Sequence, residues 1–274
     1  MTPDMMETAA RIKQEIQQST VIPCANIKLS VEPCTVFDSK VGGLPYLPPG
    51  TKAPTNPKGK KLYLLAQINC EDIAQLPDFP HTGMLQFFIF DNDLYGCPMK
   101  FPARQKEWRV VYYTTVDRDM DVSYVTEVYE GQEKGKLMPF EGEFRMTFEL
   151  SSEGMSPADY RYESAFFDRW KKAFPDDEAE DFYDLDDDIL EMVFDDSDEV
   201  PHHKMGGYPY FTQNDPRFYE GGERYDTLLF QLDSDRKDGV DVLWGDVGVG
   251  NFFINREALK RLDFSDVLYN WDCG

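Results

Sequence analysis

The chain has 274 residues, with 51 Asp and Glu against 28 Lys and Arg, so its formal net charge is -23. That balance excludes a duplex nucleic-acid binder, which needs a cationic footprint to displace counterions from phosphates, and an anionic membrane surface would repel the chain. A hydrophobic share of 41% and an aromatic share of 14% rule out a disordered polymer and supply a packed core.

In chain order, proline at position 3 suits the first turn of a helix that buries Met6, Ala9, Ile12 and Ile16 along one stripe. The same stretch lacks the basic start and continuous apolar run of a signal peptide, which points to a cytoplasmic protein. Residues 25–31 alternate apolar and polar and predict a half-buried strand. Residues 42–50 are dense in Gly and Pro and predict an ordered loop that feeds a strand at 62–68. Further strands are predicted at 83–90, 108–115, 122–128 and 143–150, the last placing Phe144, Met146, Phe148 and Leu150 on one face. Tyr162, Phe166 and Trp170 fall at helical spacing within 156–172, and a second helix is predicted over 178–194. Strands follow at 227–232, 240–244 and 251–254, with Asp238-Gly239 as a hairpin signal. A short helix at 255–262 and a strand at 267–271 complete the chain. No apolar run is long enough to span a bilayer. Five cysteines without a C-x-x-C pair fit neither a disulfide framework nor a zinc site.

The chain matches itself. Gly42-Gly43-Leu44-Pro45-Tyr46 recurs as Gly206-Gly207-Tyr208-Pro209-Tyr210, and 21 residues after each final Tyr stands a Gln within an apolar strand, Gln67 and Gln231. Residues 83–89 align with 248–254, and Ile68-Asn69-Cys70-Glu71 echoes Ile254-Asn255-Arg256-Glu257, where Asn and Glu suit a helix start. The pattern predicts a β-rich α+β fold of duplicated, antiparallel, roll-like sheets in a single domain. Repeat one covers about 25–150, an acidic helical insert about 156–200 and repeat two about 204–274.

The G-G-x-P-Y segment, the strand Leu64-Leu65-Ala66-Gln67-Ile68-Asn69, the stretch from Trp244-Gly245-Asp246-Val247-Gly248 to Phe252-Phe253-Ile254 and the final Trp271-Asp272-Cys273 resemble the YwqG-like family of bacterial proteins of unknown function. The resemblance runs from about residue 30 to the C-terminus. It implies a mainly β, roll-like fold with internal duplication, no established activity and no catalytic residues, and it carries a loose association with toxin and immunity gene neighbourhoods.

Two features are candidates for function. Residues 176–199 hold 14 carboxylates and no Lys or Arg. Phe182, Leu185, Ile189 and Met192 with Val193 form an inward stripe there, which turns Asp184, Asp187, Asp188 and Glu191 to solvent. That face either keeps the protein soluble or steers a basic protein partner. Asp184-x-Asp186-x-Asp188 resembles the start of a calcium loop, but Ile189 and Asp195 stand where glycine and a bidentate Glu are required. The second feature is a ligand cleft between the repeats, lined by Tyr46, Gln67, Tyr210, Gln231 and Asp246. Asp233, Asp235, Asp238 and Asp241 fit ordinary turn chemistry, and His202-His203 reads as a surface pair. No hydrolase, zincin, phosphate-loop or dinucleotide motif is present, and no cofactor or metal is implied. The reading is a cytoplasmic, non-enzymatic interaction protein for a basic partner, immunity-like in role. The alternative is a small-ligand-binding or metal-dependent enzyme that uses the cleft.

Overall fold

A computed structural model describes residues 3–98, 103–133, 135–195 and 202–274. Its strands are β1 (Ile22–Ser30), β2 (Lys40–Gly42), β3 (Tyr63–Asn69), β4 (Met84–Ile89), β5 (Trp108–Tyr113), β6 (Glu143–Glu153), β7 (Lys204–Gly206), β8 (Thr227–Asp233), β9 (Gly248–Ile254) and β10 (Val267–Cys273). They form one sheet in the order β10-β9-β8-β7-β1-β6-β2-β3-β4-β5, and every neighbouring pair is antiparallel. The order reads as two copies of a five-strand unit about a local two-fold axis. Matching Gly42 with Gly206 puts Cys24 in the place of Glu143 and the axis at the pair Lys28↔Thr147.

The first strands are exchanged. β1 begins repeat one in sequence but pairs with β7 of repeat two, while β6, which the sequence bounds place at the end of repeat one, is the counterpart of β1 as the first strand of repeat two and pairs with β2 of repeat one. The halves are therefore joined through nine residue pairs of the β1–β6 ladder. Each half also carries the same irregularity, a register shift between Leu64 and Ala66 and between Leu228 and Phe230. Such a bulge bends a strand and raises its twist, so its repetition curls both halves alike.

Curling puts one face of the sheet inside. Leu85, Phe87 and Ile89 alternate toward that interior, while Met84 and Phe88 turn to satellite clusters outside it. Phe87 of one half packs at 4.8 Å from Phe230 and from Phe252 of the other, and Phe252 stacks on Tyr269 at 4.4 Å. The outer strands β5 and β10 meet through Trp108 and Tyr269, whose rings lie 5.5 Å apart. The β4–β5 connection ties that meeting down: Trp271 Nε1 donates to Leu94 O at 2.9 Å and Gln105 Nε2 to Phe264 O at 2.8 Å. Covering β10 in this way protects an edge that would otherwise offer unpaired amides.

The helices are α1 (Pro3–Ser19), α2 (Ser123–Tyr129), α3 (Tyr162–Ala173), α4 (Asp187–Phe194) and α5 (Arg256–Lys260). α1, α3 and α4 share a second core in which Ala9, Ile12 and Ile16 meet Phe166, Trp170, Ile189 and Val193. Lys13 of α1 caps the end of α4 by donating to Met192 O at 2.9 Å.

Several elements differ from their sequence-based expectation. Residues 122–128 were expected as a strand, yet Ser123–Tyr129 is helical. Val125 and Tyr129 lie four apart and bury together against Tyr46 and Met84, so packing overrides the β-branched composition. The stretch 240–244 forms no named strand; Val242 makes isolated bridges to Asp235 and Phe140. The turn that precedes it is as expected, with both Asp238 and Gly239 at positive φ. The helix expected over 178–194 is split, because Asp181 and Asp184 close a capping box around a 3-10 turn before α4 begins. Residues 196–199 of the acidic segment lie outside the described residues. Leu150 is exposed although Phe144 and Met146 on the same face are buried. β2 and β7, three residues each, carry no periodic signal.

Because Phe252 touches aromatic rings from both halves, Phe252→Ala is expected to cost about 3–5 kcal/mol in urea unfolding, whereas Leu150→Ala stays within about 0.5 kcal/mol.

Candidate functional site

The repeated G-G-x-P-Y segments are the corners that follow β2 and β7. Gly42, Gly43, Gly206 and Gly207 all have φ between 67° and 72°, a left-handed pair in each half that residues with a Cβ rarely adopt. A Cβ on Gly43 would overlap the Glu143 carboxylate, and one on Gly207 the Glu153 carboxylate. Those carboxylates neutralise two buried lysines. Lys40 Nζ lies 2.8 Å from Glu143 Oε2, and Lys204 Nζ lies 2.9 Å from both oxygens of Glu153. Both acids come from β6, one from each end. The lysines were missed in the sequence, although each stands two residues before its glycine pair and extends the repeat to K-x-G-G-x-P-Y.

Gln67 and Gln231 staple these corners. Gln67 Oε1 accepts from Tyr46 N at 2.8 Å, and its Nε2 donates to Val36 O at 2.9 Å and Asp38 O at 2.8 Å. Gln231 does the same for Tyr210 N, at 2.8 Å, and for His202 O. The Tyr carbonyls are held from the next strand, by Gln86 Nε2 at 2.8 Å and Asn251 Nδ2 at 3.0 Å. Gln67 and Gln231 are fully buried, and their polar atoms satisfy loop backbone. Tyr46 and Gln67 thus meet in one corner and Tyr210 and Gln231 in the other, while Asp246 stands exposed on the loop before β9.

An open cleft lies beside the first corner. About 370 Å³ in volume, it is bounded by Phe37, Asp38 and Ser39, by Asn69 and Asp72, by Arg118, and by β6 from Arg145 to Phe148. Gln67 forms part of its support, since it holds the carbonyls of residues 36 and 38. Asn69 N donates to Ser39 Oγ at 2.8 Å, and Ser39 Oγ donates to Asp72 Oδ2 at 2.6 Å. Arg145 is taken up by Asp38, at 3.1 Å, and by Pro33 O, at 2.6 Å. Hydrogen bonds from Thr35 and Arg145 outweigh desolvation and hold the Asp38 carboxyl below the usual range. In the second half His203 occupies the position of Ser39. Its Nδ1 accepts from Asp233 N at 3.0 Å and its Nε2 faces Asp235 Oδ2 at 3.4 Å. The histidine pair is therefore not a surface pair. Alternation along the chain sends neighbouring side chains to opposite sides, so His203 is buried while the His202 ring stacks on Tyr210 at 4.7 Å.

The insert is locked onto the second half by charge. Asp159 is buried against Arg161 Nε at 2.7 Å and Arg217 Nη2 at 2.8 Å, and Arg217 also reaches Asp215 Oδ2 at 2.7 Å. The Arg217 guanidinium sits 4.4 Å from the centre of the Phe253 ring. Asp184, Asp187, Asp188 and Glu191 are all exposed on and before α4, and Tyr183 beside them is 95% exposed. Among the described residues no group of three or more His, Cys, Asp or Glu side chains converges as a metal site. Burial pushes the Cys24 thiol up to about 11 and the Cys70 and Cys97 thiols up to about 12, so these three stay protonated and unreactive at neutral pH.

Gln67→Leu, which strands three buried backbone groups, is expected to lower unfolding free energy by about 3 kcal/mol, and Gln231→Leu by a similar amount, both read by urea denaturation. Burial pushes the Asp159 carboxyl up, but hydrogen bonding from Arg161 and the charges of Arg217 and Arg161 outweigh it and leave the group below its ordinary value. Its contribution is therefore complete above the unfolded aspartate pKa of about 3.9 and fades as pH falls below that. Asp159→Asn is expected to cost about 3–5 kcal/mol at pH 7, with the gap to wild type narrowing in urea melts below about pH 4.

No curated protein matches the chain. Residues 39–273 match the family model described as a domain of unknown function, DUF1963. That span takes in both G-G-x-P-Y segments, the insert, all but the first strand of the sheet and the cleft residues from Ser39 onward, and the chain belongs to the DUF1963 family.

Proposed function

We propose that the protein is a non-enzymatic interaction module whose acidic face docks a basic protein partner. The observation that carries this reading is the arrangement around α4. Asp184, Asp187, Asp188 and Glu191 project outward beside the almost fully exposed ring of Tyr183, while Ile189 and Val193 anchor the helix inward. No Lys or Arg among the described residues forms an ion pair with Asp187, Asp188 or Glu191. Asp187 and Asp188 lie in the first turn, where the helix dipole favours negative charge, so the face tolerates its own repulsion. A field of one sign steers an oppositely charged partner, and an exposed tyrosine supplies the flat apolar contact that interfaces enrich. The YwqG-like resemblance extends the reading to a protein that neutralises a basic toxin. Five unpaired thiols support a cytoplasmic setting.

The test is a comparison on immobilised protein. Wild type and a variant carrying Asp184→Asn, Asp187→Asn, Asp188→Asn and Glu191→Gln are exposed to the same native lysate and eluted with a salt gradient. A basic protein held by wild type at physiological salt, released as salt rises and lost from the variant is the expected result. Retention that ignores the four substitutions overturns the reading.

A further inference from the structure

We propose that the cleft beside the first corner binds a free α-amino acid. The two halves provide an internal comparison. In each, the last amide of the corner-stapling strand donates to residue 39 or 203, and that residue then contacts a carboxylate: Asn69 N to Ser39 Oγ to Asp72, and Asp233 N to His203 Nδ1 with Nε2 to Asp235. The bonds are equivalent but the side chains differ in size. Both residues are buried, His203 at 3% exposure and Ser39 at 2%, but the smaller Ser39 makes its pair of contacts at the border of the cleft of about 370 Å³. That volume lies at the small end of ligand pockets, roughly 300–1,000 Å³.

The lining selects a zwitterion. Arg145 is consumed by Asp38 and Pro33 O, but Arg118 makes one 3.3 Å contact with Glu71 between two exposed side chains. Such a contact contributes little and leaves most of the guanidinium donors free for a carboxylate. Asp72 uses Oδ2 for the Ser39 hydroxyl, so Oδ1 is open to an ammonium group. Phe37 and Phe148, both half-buried, offer apolar walls for a side chain. A phosphate or dicarboxylate would meet Asp38 and Asp72, and a simple cation would meet Arg118 and Arg145. A molecule that carries one charge of each sign on adjacent groups meets neither penalty. None of the acidic-face residues lines this cleft, so the inference stands apart from partner docking.

The experiment presents each of the twenty proteinogenic L-amino acids singly, at millimolar concentration, to the full chain and reads saturation-transfer NMR followed by calorimetry. At least one is expected to bind, with a Kd of about 0.1–1 mM, and phenethylamine, which lacks the carboxylate, is expected to fail. Ser39→His puts the residue of the second half at the border of the cleft, and it is expected to weaken binding at least about tenfold in a variant that keeps a cooperative urea transition. Arg118→Gln, a surface change that leaves the fold untouched, is expected to do the same. Absence of transfer from all twenty amino acids, or binding that survives either substitution, overturns the proposal.

Discussion

Nine consecutive residues of β1 pair with β6, from Ile22↔Glu153 to Ser30↔Arg145, and this ladder joins the two halves of the sheet at its centre. Because each strand begins one repeat and completes the other, neither half has its full complement of neighbours without the other half. The exchange also explains why one core serves both: once β1 and β6 are paired about the Lys28–Thr147 axis, curling of the halves brings Phe87, Phe230 and Phe252 into contact across the interior. Apolar burial is the dominant favourable term in folding, and here it is available only to the joined structure.

The corners show how buried polar groups are accommodated where the chain must turn inside the protein. A buried lysine is costly unless paired, and the left-handed glycines let a β6 carboxylate lie directly against the backbone to pair it. A buried amide is costly unless bonded, and each glutamine satisfies the loop that enters the short strand and the loop that leaves it. The motif therefore encodes a joint, with lysine, glycines, tyrosine backbone and glutamine as parts of one arrangement. Its repetition follows from the geometry, since both halves need the same turn at the same distance from the axis.

Duplication then leaves room for divergence. The scaffold bonds at Ser39 and His203 are the same, yet one half is filled by an imidazole and the other retains a cleft with opposed charges on its walls. The insert departs furthest, because it has no counterpart in the first half. It is bound to the second half through the buried Asp159–Arg217–Asp215 group and through the core its own helices form with Tyr208 and α1, and its acidic side stays exposed.

Strands β1, β3 to β6 and β8 to β10, helices α1, α3 and α5, the inward stripe Phe182, Leu185, Ile189 and Val193, the positive-φ turn at Asp238-Gly239 and the duplication itself were legible in the sequence, because each depends on spacing along one stretch of chain. The family match over 39–273 agrees with the breadth of the repeat. Other features were not legible. Val122 to Val128 has a strand-like composition and becomes helical because Val125 and Tyr129 find a common pocket. His203 looks like half of a surface pair and is buried because β7 pairs into the sheet. Gln67 and Gln231 were visible as a repeat, but whether they face a ligand or a loop depends on what lies opposite, and Ser39, Asp72 and Arg118 come from segments with no motif at all. The sequence by itself determined the repeat, the corners and the charge of the insert, since these are local patterns of residue type. Only the tertiary structure decided the strand exchange, the stapling role of the glutamines and the position of the cleft, because each arises from contacts between residues distant in the chain, which no local periodicity records.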